Sequence, residues 1–160
     1  MAAITWTETL ALQQPRMDQT HREFVDLLCD VEAALDAGLP ALTGAYASFV
    51  EHTVEHFAQE DAWMARLGFA PESCHALQHA QVLEALREVQ RRLEAGGEAH
   101  LVRSLVPALA EWFPSHAQTM DAGLALSMQQ SGFDPGTGSL ASPVAEPAAP
   151  RTGCGSASCA

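Results

Sequence analysis

The sequence predicts an all-α protein, an up-down-up-down four-helix bundle with an N-terminal arm and a disordered C-terminal tail. Three observations lead there. Apolar residues recur at steps of three and four from about residue 17 to residue 130, the spacing of helices that bury one face. Gly and Pro cluster only at a few internal points, so long helices are joined by short turns and neighbours run antiparallel. Beyond Ser131 the composition shifts to Gly, Pro, Ser and Ala, with too little large apolar surface to order the chain.

Taken in order, the first sixteen residues form a non-helical arm whose Ile4, Trp6, Leu10 and Leu12 are expected to pack on the bundle. The first helix is predicted from Met17 to Asp36, with His21, Phe24, Leu28, Val31 and Leu35 facing inward, and it stops before Gly38-Leu39-Pro40. The second runs from Ala41 to Leu67, with Leu42, Tyr46, Phe49, His56, Glu60, Trp63 and Leu67 on its inner stripe, and Gly68 ends it. The third begins near Pro71, whose fixed φ suits a first helical turn. It carries His75, His79, Val82, Leu86, Val89 and Leu93 inward until Gly96-Gly97. The fourth spans Glu98 to Gln130, with Leu101, Leu105, Leu109, Trp112, His116 and Leu124 inward. Pro107 and Pro114 should each remove a backbone hydrogen bond and bend it. One domain over residues 1–130 and a flexible tail over 131–160 follow, without internal repeats.

A chain of 160 residues with 48% apolar content is long enough for one domain with a sizeable core. Eight basic residues against twenty acidic ones give a net charge of −12, which repels phosphate backbones and anionic lipid and excludes nucleic acid and membrane as partners. No basic leader is followed by a long apolar run, and no stretch approaches the roughly 18 apolar residues of a membrane span. A cytoplasmic monomer is expected. Cys29, Cys74, Cys154 and Cys159 are too few and scattered for a disulfide scaffold and fit a reducing compartment. Cys74 reads as a small packed residue, and the pair Cys154 and Cys159 lacks CxxC spacing.

The inward stripes carry residues that do not belong in an apolar core. His75 and His79 in HALQH lie one turn apart, as do His56 and Glu60 in HFAQE, so each pair projects from one helix face. His21 lies early in the first helix and His116 in the last, with Asp121 five residues further on. An HxxxH pair or a lone inward histidine is commonly structural. Four helices that each aim ligands into one bundle core point instead to a metal site.

Coordination arithmetic sharpens this expectation. Two octahedral irons offer twelve positions, of which an oxo or hydroxo bridge and two bridging carboxylates, Glu60 and Asp121, take six. His21, His56, His75, His79 and His116 fill five more, leaving one open position for a small diatomic ligand. Histidine-rich, carboxylate-poor coordination favours the ferrous state, whereas oxygen-activating di-iron sites use more carboxylates and paired Glu-x-x-His motifs. The one Glu-x-x-His here, Glu72 to His75, reads better as an acid in a helix's first turn.

Over roughly residues 4–127 the chain resembles the hemerythrins, specifically the bacterial single-domain kind. The matching segments are ITW, MDQTH, HFAQEDAWM, GFAPESCHALQH and WFPSHAQTMD. The resemblance implies that His75, His79 and His116 complete one iron, that His21 and His56 serve the other, and that Glu60 and Asp121 bridge the two. It implies reversible dioxygen binding at the His21/His56 iron for storage, delivery or sensing, without catalytic turnover. Nitric oxide and small anions are further candidate ligands. Trp112 and Phe113 are expected to wall the ligand pocket. The family usually has a bulky aliphatic residue directly after the fifth histidine; here it is Ala117, which predicts a wider pocket with faster ligand exchange and autoxidation.

Alternative readings remain at this stage. The wider pocket would suit a di-iron enzyme acting on peroxide or nitric oxide, and the tail would suit a signalling module. His52, one turn before His56, could join His75 and His79 in an all-histidine zinc site. The alignment of HFAQEDAWM on His56 instead leaves His52 behind the ligands or facing solvent, and His100 is expected at the surface near a helix start.

Overall fold

The computed structural model describes residues 2–141. Helix α1 spans Pro15–Ala34, α2 Leu39–Arg66, α3 Cys74–Gly96 and α4 Ala99–His116. A π-helical turn, Ala117–Asp121, joins α4 to α5, Ala122–Ser131. Together they form the expected four-helix bundle, with α4, the π-turn and α5 acting as one long fourth member. Among the described residues no helix is long and apolar enough to cross a membrane.

The helix ends follow local chemistry. Pro15 opens α1 behind Gln14, whose side-chain oxygen accepts from the backbone N–H groups of Arg16 and Met17 at 2.8 and 3.1 Å, two donors that no helical carbonyl can satisfy. Helix α3 starts at Cys74 rather than near Pro71, because the Ser73 hydroxyl caps it, accepting from Ala76 N–H at 3.3 Å. Pro71 and Glu72 therefore precede the helix. A buried serine cap contributes about 1 kcal/mol, so Ser73→Ala should lower unfolding stability by roughly that amount in urea titrations of the metal-free protein. Gly97 ends α3 in the left-handed region at φ +66°, where a side chain would be strained.

The arm packs as expected. Ile4 and Leu10 are buried, and Arg22 of α1 lies 4.7 Å over the Trp6 ring. A short 3₁₀ turn, Glu8–Leu10, interrupts it. The Gln118 side chain donates to Thr9 O, and Leu12 N–H donates to the Asp18 carboxylate at 2.7 Å. The arm is thereby tied both to the π-turn and to the start of α1.

Two further expectations are corrected. In α4 the most buried residues are Val102, Val106, Leu109 and Phe113, while Leu101, Leu105 and Trp112 are half-buried. Both sets are apolar with the same period and share Leu109, so periodicity alone could not set the register. The second correction concerns the tail: Phe133–Asp134 and Ser139–Leu140 pair antiparallel as a small hairpin, with Phe133 buried beside α5 and the Arg66 guanidinium donating to Gly138 O at 2.6 Å. The remainder of the predicted tail, with Cys154 and Cys159, lies outside the described residues.

The core has two apolar clusters. The larger includes Phe24, Phe49, Leu86, Val106 and Phe113, and the smaller includes Met17, Trp63, Met64, Leu124 and Met128. Along α1, α2 and the fourth member the inward histidines and carboxylates fall between residues of the two clusters: Met17, His21, Phe24 on α1; Phe49, His56, Glu60, Trp63 on α2; Phe113, His116, Asp121, Leu124 on the fourth member. A polar layer is thus enclosed between dry ones.

Candidate metal centre

His21 enters this layer from α1, His56 and Glu60 from α2, His75 and His79 from α3, His116 from the end of α4, and Asp121 from the π-turn. All seven are at most 4% exposed. In a regular α-helix five residues turn through about 500°, which would leave Asp121 some 140° from His116. The π-turn corrects this: Ala122 N–H bonds to Ala117 O, five residues back, and the wider turn swings the Asp121 carboxylate to 3.2 Å from His116 Nε2. π-turns of this kind recur at functional sites.

Each carboxylate divides its two oxygens between two sets of histidines. Glu60 Oε1 lies 3.0 Å from His56 Nε2 and 3.5 Å from His21 Nε2, while Oε2 lies 3.3 Å from His75 Nε2 and 3.4 Å from His79 Nε2. Asp121 Oδ2 is 3.2 Å from His21 Nε2, and Oδ1 is 2.9 Å from His75 Nε2. Two ligand groups result among the described residues, Glu60, His75, His79, His116 and Asp121 on one side and His21, His56 and Glu60 on the other.

These donors fit metal ions better than they fit one another. His21 Nε2, Glu60 Oε2 and both Asp121 oxygens are fully buried and find no hydrogen bond of acceptable geometry among the described residues, a costly state unless a cation satisfies them. His79 Nδ1 lies 2.8 Å from the Asp61 carboxylate and His116 Nδ1 lies 2.8 Å from Gln78 Oε1. Each Nδ1–H donates there, so the Nε2 atoms, 3.2 Å apart, face each other with lone pairs. Imidazole nitrogens and carboxylate oxygens are the donor set of first-row divalent metals.

Electrostatics agree. Burial disfavours a charge on His21, but Asp121 and Glu60 beside it outweigh burial and push its pKa up to about 10. Burial likewise opposes ionisation of Glu60, yet His56, His21 and His75 hold its carboxyl well below its ordinary value of 4.5. For Asp121, burial and the Glu60 charge oppose ionisation, but His116 and His21 hold it well below 3.8. The signs define a pH window. His21 stabilises the metal-free fold fully below about pH 6.5 and loses this as pH rises through about 10. Glu60 and Asp121 contribute above their ordinary values, and that contribution is lost as pH falls. Metal uptake at neutral pH must then expel the His21 proton. Titration of metal-free protein with ferrous ion in weak buffer should release about one proton per chain from this residue, read with a pH indicator dye, and metal retention should fall as the solution is acidified.

The other predicted residues separate. Phe113 is fully buried, edge-on to His21 at 5.2 Å and stacked on Phe24 at 4.5 Å. Ala117, also fully buried, belongs to the same apolar cluster. Trp112 stacks instead on His116 at 4.4 Å, with Phe57 as another ring neighbour. His52 stays outside the cluster, half-buried, its Nε2 3.2 Å from Thr20 O, and His100 is exposed. Sequence reasoning missed Asp61, Gln78 and the stacking of Phe57 on His79 at 3.9 Å and 7°. Their only signal was adjacency, Asp61 next to Glu60 and Gln78 inside HALQH.

Comparison with known proteins agrees with this geometry. Residues 14–125 match the family model described as the hemerythrin HHE cation binding domain. A bacteriohemerythrin of Ralstonia nicotianae is 40% identical over 134 residues, covering 84% of this chain and 95% of that protein. Bacteriohemerythrins of Stenotrophomonas maltophilia and Methylococcus capsulatus are 25% and 22% identical, over 78% and 76% of this chain and 81% and 93% of those proteins. With a matching model over most of its length and a helical bundle enclosing a histidine and carboxylate cluster, the chain belongs to the hemerythrin family.

Proposed function

We propose that the centre holds two iron ions and binds dioxygen reversibly, and that the protein serves in oxygen storage, delivery or sensing rather than in catalytic turnover. The observation that carries this reading is the division of the Glu60 and Asp121 oxygens between a three-histidine and a two-histidine group. In it, His75, His79 and His116 would hold one ion and His21 and His56 the other, with Glu60 and Asp121 each offering one oxygen to either side. When bound, the ferrous pair supplies reducing electrons and one open position for a diatomic ligand, at the end with fewer histidines.

The chain's own residues make that chemistry reversible. Five neutral imidazoles and only two carboxylates bring little negative charge to the centre, too little to favour higher oxidation states. Phe113 and Phe24 on the His21 side, with Trp63 and Met64 in the cluster below, keep water and stray protons from the layer. The four helices hold the ligands on a rigid frame, so little rearrangement accompanies binding.

Ala117 adjusts the rate. Replacing it with Ile adds volume directly after His116, inside a fully buried cluster. Ala117→Ile should slow autoxidation by on the order of tenfold, a barrier change of about 1.4 kcal/mol, followed optically in air-equilibrated buffer. The functional test is an anaerobic optical titration of iron-loaded protein with dioxygen followed by gas removal. A band that appears and disappears over repeated cycles supports binding, whereas continuous oxygen consumption in the presence of a reductant would replace this reading with an enzymatic one.

A further inference from the structure

The two ends of the centre differ in more than histidine number. At the three-histidine end, two rings are each held twice. His79 donates from Nδ1 to the Asp61 carboxylate at 2.8 Å and lies flat against Phe57 at 3.9 Å. His116 donates from Nδ1 to Gln78 Oε1 at 2.8 Å and stacks on Trp112 at 4.4 Å and 26°. At the other end His21 Nδ1 and His56 Nδ1 are buried without a hydrogen-bond partner among the described residues. Away from the Glu60 and Asp121 carboxylates that their Nε2 atoms face, these two rings meet ring neighbours, Phe113 at 5.2 Å from His21 and Phe57 and Phe24 at 5.2 and 6.3 Å from His56.

Two physical consequences point the same way. A hydrogen-bonded and stacked imidazole pays less orientational entropy when it takes a metal, because its tautomer and tilt are already set. An imidazole whose N–H gives to a carboxylate is also the more basic donor. Asp61 can act this way because it sits at the rim, its side chain 46% exposed, and stays hydrated while its Oδ1 reaches the buried ring. Its place directly after Glu60 turns it about 100° around α2, from the metal layer toward the outer side of His79.

We propose that Asp61 and Gln78 are positioning residues that, through His79 and His116, make the three-histidine end the tighter metal position, so that iron enters it first and leaves it last. This rests on the di-iron reading of the centre. The looser end is then also the one with the open coordination position, and the asymmetry separates a structural anchor from an exchangeable partner within one centre.

The test follows iron release. Full-length protein loaded anaerobically with two ferrous ions is mixed with excess of a coloured ferrous chelator. Wild type should release its iron in two phases of equal amplitude. Asp61→Ala should speed the slow phase about 10–100-fold, the usual effect of removing an outer partner of a ligand, and leave the fast phase in place. Asp61→Asn, which keeps a hydrogen-bond acceptor and drops the charge, should fall between. Gln78→Ala should also speed the slow phase, and Gln78→Glu, which puts a carboxylate behind His116, should retard it, a gain that loosened packing could not produce. Single-phase release from wild type, equal acceleration of both phases in Asp61→Ala, or unchanged slow phases in the Asp61 and Gln78 variants would overturn the proposal. A wild-type protein that takes up no iron would overturn the di-iron reading itself.

Discussion

Glu60→Ala is expected to empty the proposed two-iron centre. Among the described residues no other side chain faces so many of the ligands: its two oxygens approach four histidines from three helices at 3.0 to 3.5 Å. Removing an outer partner of a ligand already costs about 10–100-fold in metal affinity, so deleting a carboxylate shared by both positions should cost more. Metal analysis after desalting should find well under one iron per chain, against two in wild type. Glu60→Gln separates charge from shape, because it fills the same volume but cannot neutralise two cations; it should lose metal nearly as completely. Circular dichroism of both variants should remain helical, since the two apolar clusters above and below the layer are untouched.

Phe113→Ala should have the largest effect on the fold. Its ring is fully buried, stacks on Phe24 at 4.5 Å and 21°, and sets its edge against His21. Truncating such a ring removes apolar burial and leaves a cavity, at a cost of roughly 3–5 kcal/mol. Urea unfolding of the metal-free variant should show the lower midpoint with an unchanged slope. Trp112, half-buried against His116, offers the contrast: Trp112→Ala should destabilise less, because solvent already reaches part of its ring.

The bundle was legible because each long helix carries a sustained apolar stripe, and the centre because histidines and acids interrupt those stripes at the same depth. His56 with Glu60, and His75 with His79, are spaced one turn apart and needed no tertiary information. Asp121 was the harder case. Its spacing from His116 is wrong for an α-helix, and only the π-turn explains how it arrives. The register of α4 was ambiguous, since Leu101 and Val102, Leu105 and Val106 are equally apolar. The hairpin at Phe133–Leu140 was hidden because one buried aromatic and two-residue strands do not stand out in a Gly-rich stretch. Asp61 and Gln78 were hidden for a different reason: a polar residue at the helix rim reads as ordinary surface until the ring it holds is located.

The most direct test of the account is anomalous diffraction at the iron edge from crystals of the iron-loaded protein. Two peaks are expected in the layer between the apolar clusters, one among His75, His79 and His116 and one beside His21 and His56, with Glu60 and Asp121 spanning them. A single peak, or a peak ligated by His52 in place of His56, would contradict it.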